Sequence, residues 1–116
     1  MAYINQVFIS GNVGKVEVGE TKTTSSAAAS MVIAVENSVG NYEPSFVFGN
    51  TVWVRVNCYG TVAKLVAQNV SKGDYVIVWG RLMSRRLKDG SASVIEVKAH
   101  RVEVIKKGHR VSVPKE

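Results

Sequence analysis

A closed β-barrel of five strands with one short helix is the fold class that this 116-residue sequence predicts. Three observations lead there. Apolar residues alternate with polar ones in five separate stretches, the pattern of half-buried strands. One stretch, residues 61–70, changes to helical spacing. The order is three strands, the helix, then two strands, with no internal repeat and no second domain. Strands in this number need closure to escape exposed edges.

Each element has its own justification. Tyr3 to Ser10 alternates, with Val7 and Ile9 on one side and Phe8 on the other, and Gly11-Asn12-Val13-Gly14 then bends or bulges the chain. Residues 19–26 read as a polar turn. Ala27 to Glu36 is the second strand, with Met31, Ile33 and Val35 toward the core. Its three alanines would suit a helix, but they are too few to nucleate one, and the β-branched residues that follow favour a strand. Asn37 to Asn50 holds Gly40, Pro44 and Gly49 and reads as a long hairpin loop.

Thr51 to Tyr59 is the third strand and the clearest alternation. Val52, Val54, Val56 and Cys58 point one way; Trp53, Arg55, Asn57 and Tyr59 point the other. In Thr61 to Val70, the residues Val62, Leu65, Val66 and Val70 form a helical stripe, closed by Lys72-Gly73. Tyr75 to Met83 is the fourth strand, continuing through basic residues to the turn Lys88-Asp89-Gly90. Ser91 to Ile105 is the fifth. A single helix plugging the barrel between the third and fourth strands is the OB-fold arrangement; an SH3-like barrel has no natural place for it. Residues 1–105 form the domain and 106–116 a short basic tail.

Composition narrows the function. Hydrophobic residues at 46% and charged residues at 21% are a globular balance. No apolar run reaches membrane-spanning length, and residues 1–6 show neither the basic segment nor the apolar stretch of a secretory leader, so the expected location is the cytoplasm, nucleoid-associated, or the host cytoplasm for a viral protein. One cysteine, Cys58, excludes an internal disulfide. The net charge of +6 lies wholly in residues 81–116, because residues 1–80 balance five basic against five acidic side chains. A basic half suggests a polyanion, nucleic acid before membrane, or else a charge that merely keeps the protein soluble.

The face Trp53, Arg55, Asn57, Tyr59 offers two π-surfaces, a guanidinium and an amide. Bases stack on rings, arginine meets phosphate, and an amide bonds base edges. The same face would equally cover core or a partner chain. Arg81, Arg85, Arg86 and Lys88 crowd the last hairpin and are candidate phosphate contacts, joined by Lys15. Tyr75, Ile77 and Trp79 lie opposite Val76 and Val78 and form an apolar stripe, read with Val54 as an oligomer interface.

Catalytic signals fail. Gly11-x-x-Gly14-Lys15 has the wrong spacing for a phosphate loop and no Ser/Thr after the lysine. Cys58, His100 and His109 lack metal-ligand spacing, and no nucleophile elbow is present. The expectation is a binding protein with no cofactor and no metal.

Ile4-Asn5-Gln6-Val7 through Gly11-Asn12-Val13-Gly14-Lys15, Ala29 through Ala34, Trp53 through Lys64, and Val70-Ser-Lys-Gly-Asp through Gly80-Arg-Leu together resemble the bacterial-type single-stranded DNA-binding proteins. Order and spacing agree from about residue 4 to 105. The resemblance implies an OB-fold that assembles as a homotetramer, a dimer being the smaller alternative, and wraps single-stranded DNA during replication, recombination or repair. It places the family's aromatic stacking positions on Val39, Trp53, Tyr59 and Leu87. Trp53 and Tyr59 keep the rings; Tyr42, Phe46 and Phe48 in the nearby loop are candidates to replace the others. The family's acidic C-terminal tail, which recruits replication and repair enzymes, has Pro114-Lys115-Glu116 in its place. That ending implies a shortened chain or a divergent viral, plasmid or organellar branch, and leaves recruitment open. The competing reading is an adaptor similar to primosomal replication proteins, acting through a protein partner with weak DNA or RNA binding.

Overall fold

The computed structural model describes residues 2–20, 27–36 and 51–108. Its elements are β1 (Val7–Glu20), β2 (Ala27–Glu36), β3 (Thr51–Tyr59), α1 (Gly60–Asn69), β4 (Tyr75–Arg86) and β5 (Ser93–Lys106). The strands close into a barrel in the order β1-β2-β3-β5-β4. All pairings are antiparallel except β3 with β5, which run parallel where Val56 meets Val97 and Asn57 meets Lys98. Five strands and one helix between β3 and β4 are the architecture expected from the sequence.

The barrel is filled by one apolar cluster, including Val13, Met31, Ile33, Val56, Cys58, Val76 and Val78. The helix plugs it with Ala63 and Val66, while Leu65, expected on the buried stripe, is 40% exposed. Ala63 and Val66 share the inward side of the helix with Val62 and Val70. β1 begins at Val7 rather than Tyr3. Before it, Asn5 imitates a strand pairing with its side chain: the Leu82 N–H donates to Asn5 Oδ1 (2.8 Å) and Asn5 Nδ2 donates to the Leu82 carbonyl (3.0 Å).

Irregularities in pairing decide which side chains face out. The β1–β2 register shifts between Val13 and Lys15. The extra residue, Gly14, changes the phase, so Val13 is buried while Lys15 and Glu17 are exposed. β4 keeps strict alternation; β5 absorbs the shift opposite Trp79 and Gly80, so Ala99 and Val102 are both buried. At the far end the β4–β5 hairpin turns through Gly90 at φ 75, with Asp89 Oδ1 accepting from the Ser91 N–H (2.9 Å) and hydroxyl (2.7 Å).

The other end is clamped by Asp74, which is fully buried. It accepts from the Ser71 N–H (2.9 Å), the Gly108 N–H (2.9 Å) and Lys107 Nζ (2.6 Å), tying the end of β5 to the entry of β4. Burial alone would raise its pKa, but these donors outweigh it and hold the carboxyl below its ordinary value.

Candidate nucleic-acid interface

The outward residues of β3 form the spine of the site. Trp53 is 63% exposed and lies across Gly14, where an added Cβ would sit 2.9 Å from its ring. The glycine bulge therefore seats the indole as well as setting the phase of β1. Tyr59 is 40% exposed, and Lys98 Nζ stands 5.6 Å from its ring centroid. A shallow groove of about 290 Å³ runs beside them, lined in part by Ser30, Arg55, Asn57 and Tyr59.

Between the two rings the face is organised by a residue that sequence reasoning missed. Glu96 on β5 is only 5% exposed. Its Oε1 accepts from Asn57 Nδ2 at 2.6 Å, and its Oε2 accepts from Arg85 Nε at 3.0 Å and Nη2 at 2.8 Å. Arg55 Nε lies 3.7 Å from the same oxygen, and Arg55 Nη2 also donates to Ser30 Oγ at 3.3 Å. The Arg85 hydrogen bonds lower the pKa of Glu96 most; burial opposes them, and Asn57 and the Coulomb fields of both arginines add to the lowering. The carboxylate is held charged.

Arg55, Asn57 and Arg85 thus gather around one buried anion. Arg81 pairs in register with Lys98 on the same outer side. Arg86 faces the opposite side of the hairpin, Lys88 lies in its turn, and Lys15 stands at the margin with Glu17 at 3.1 Å. Val39, Tyr42, Phe46 and Phe48 lie outside the described residues, as does His109. Lys98 and Met83 were also missed. The alternation of β5 puts Glu96 and Lys98 on one side, but only the parallel β3–β5 pairing brings them to Asn57, and no local pattern announces that pairing.

The second expected surface lies on the first half of β4. Trp79 stacks on Phe8 with centroids 5.2 Å apart, Arg101 covers the indole at 4.9 Å, and Tyr75 Oη donates to Ser10 Oγ at 3.0 Å. Phe8, 67% exposed, extends the stripe of Tyr75, Ile77 and Trp79. Val54, grouped with that stripe by the sequence reading, sits on β3 and packs against the core. Its place in the alternation with Val56 and Cys58 turns it to the barrel side.

Cys58 is buried, and burial pushes its thiol up to about 11, far from a reactive thiolate. Among the described residues, no group of three or more His, Cys, Asp or Glu is placed to hold a metal ion.

The sequence profile of the single-strand binding protein family matches residues 4–108. The chain belongs to that family. Single-strand binding proteins bind single-stranded DNA, and this chain carries their fold as well. The SSB domain of a protein from Synechococcus sp. superposes with a TM-score of 0.64 at 19% sequence identity, over 88% of this chain and 97% of that one. At that identity the likeness speaks for the fold alone: the barrel is an OB-fold. Among the described residues of this single-strand binding protein, no helix is long and apolar enough to cross a membrane.

Proposed function

We propose that this protein binds single-stranded DNA without sequence preference and shields it during replication, recombination or repair. The observation that carries the reading is the exposure of Trp53 and Tyr59 on one outer face of β3, bordered by cations of β4 and β5. Each base stacked on such a ring contributes about 1–3 kcal/mol, and every base has a π-face, so the contact is indifferent to sequence. Phosphates run along Arg81, Lys98, Arg86 and Lys88, with Lys15 at the margin. Arg55, Asn57 and Arg85 form the polar floor between the rings. Tyr42, Phe46 and Phe48, in the sequence before β3, are proposed as further stacking residues.

Titrating oligo-dT while following tryptophan fluorescence tests this reading. Quenching is expected, with log affinity falling by about 0.7 per phosphate contact for each decade of salt. No quenching and no retention of the oligomer at low salt would sink it.

A second copy of the chain covers the Phe8–Trp79 stripe in the proposed oligomer, a homotetramer or a dimer. The support is the run of exposed Phe8 and Tyr75 beside the half-buried Ile77 and Trp79, an apolar surface that a monomer rarely leaves open to water.

A further inference from the structure

We propose that Glu96 is a positioning residue that withholds Arg55 and Arg85 from phosphate, so that the middle of the face receives bases and the DNA backbone is drawn to its borders. The inference rests on the single-strand reading and deepens it.

The geometry makes the division. Arg85 meets Oε2 of Glu96 through two N–H groups, at 3.0 and 2.8 Å, and Arg55 Nε lies 3.7 Å from the same oxygen. A phosphate taking over the two N–H groups that Arg85 gives to Glu96 would strand a carboxylate that is 5% exposed, so Arg85 keeps for phosphate only its remaining N–H groups and a charge it already shares. Removing one partner of a buried charge leaves a desolvated anion, which is far costlier than any gain from an exposed phosphate contact. Asn57, at 2.6 Å from Oε1, is occupied too. Asn57 and Arg85 are therefore hydrogen-bonded to Glu96 before any ligand arrives, and Arg55 is held more loosely between Glu96 at 3.7 Å and Glu17 at 3.8 Å.

The borders differ. Arg81, Arg86, Lys88 and Lys98 make no ion pair among the described residues, and all but the half-buried Lys98 are exposed. A strand crossing the face then meets free cations on β4, β5 and the hairpin, and between Trp53 and Tyr59 a floor in which Glu96 offsets one of the two arginine charges. Such a floor repels no base and competes weakly for phosphate. It also lowers the number of counterions the DNA releases, since Glu96 already offsets one charge of the arginine pair.

The test is the salt dependence of oligo-dT binding in wild type, Glu96→Gln, Arg85→Gln and Arg81→Gln, with thermal melts alongside. Glu96→Gln keeps the shape and an acceptor oxygen but removes the charge. Freed arginines should steepen the slope by about 0.7 for every phosphate they newly engage, so by roughly 0.7–1.4, and tighten binding at low salt. A Glu96 that only braced the fold would lower the melting temperature and leave the slope as it was, which would overturn the proposal. Should Glu96→Gln fail to fold, the arginine pair decides. Arg81→Gln is expected to lower the slope by about 0.7, while Arg85→Gln leaves it within a few tenths of wild type. Equal losses in both variants would overturn the proposal. Wild-type protein that fails to bind would remove the single-strand reading and this inference together; wild-type binding with an unchanged Glu96→Gln slope removes this inference alone.

Discussion

Trp53→Ala separates stacking from charge. The indole is 63% exposed and rests on Gly14 along one edge, so most of its surface is open to a ligand and little of it supports the core. Loss of one stacked base costs about 1–3 kcal/mol, a fall in affinity of roughly 5- to 150-fold. The fold should hardly notice: a largely exposed side chain away from the core is worth within about 0.5 kcal/mol on truncation. The salt slope should stay at its wild-type value, because no phosphate contact is removed. Labelled oligo-dT followed by anisotropy at several salt concentrations gives affinity and slope together, and circular dichroism melts give stability. Trp79 remains as an internal control, so the DNA-induced quench should collapse in the variant while the Trp79 emission persists. Binding within twofold of wild type by a folded Trp53→Ala protein would refute stacking at this position. A reduced salt slope would show that the indole acts by placing a cation instead.

Three further outcomes are expected. Gly14→Ala introduces a Cβ about 2.9 Å from the Trp53 ring and should displace the indole, weakening DNA binding severalfold with little change in melting temperature; titration and a melt together check it. Asp74→Asn removes the charge that three donors share and should cost about 1–3 kcal/mol, or roughly 4–12 °C in the melt. Because the folded pKa values of Asp74 and Glu96 are both lowered, their contribution is complete above about pH 4 and is lost as pH falls through the folded values. The melting temperature should therefore be flat from pH 7 to about pH 5 and drop below pH 4, with a shallower drop in Asp74→Asn. Finally, Phe8→Ser with Trp79→Ser opens the stacked pair on the outer sheet, and light scattering should show smaller particles than wild type; an unchanged mass would remove the interface role of that stripe.

The barrel was legible in the sequence because its signals are local. Alternation marks β3 unmistakably, the change to helical spacing marks α1, and Asp89-Gly90 marks the hairpin turn. What failed was phase. Gly14 could be recognised as a bend, but not that the extra residue would turn Glu17 outward between Lys15 and Arg55. In the helix the larger Leu65 outranks Ala63 on any hydrophobicity argument, but the side turned to the barrel carries Val62, Ala63, Val66 and Val70, and Leu65 lies off it. Glu96 was invisible for a different reason. In sequence it is one acid in a basic segment; its meaning comes from the parallel pairing of β3 with β5, which joins residues 39 positions apart.

Register also explains how one strand serves two surfaces. β4 never breaks its alternation, so Tyr75, Ile77, Trp79, Arg81, Met83 and Arg85 all face outward. Its first half carries rings, its second half cations. β5 must cover both halves while keeping Val97, Ala99, Val102 and Val104 on the barrel side, and those positions do not share one alternation. The added residue opposite Trp79 and Gly80 resolves the conflict. Below it Glu96 and Lys98 turn outward beside Asn57 and Arg81; above it Arg101 and Glu103 turn outward beside Trp79 and Ile77. Were the strand regular here, with His100 taking its turn in the alternation, Val102 would face water and Arg101 the barrel. The bulge thus keeps the core closed and at the same time assigns Glu96 to the candidate nucleic-acid face and Arg101 to the aromatic stripe, so the chemistry of both surfaces depends on a backbone irregularity rather than on any side chain at the bulge itself.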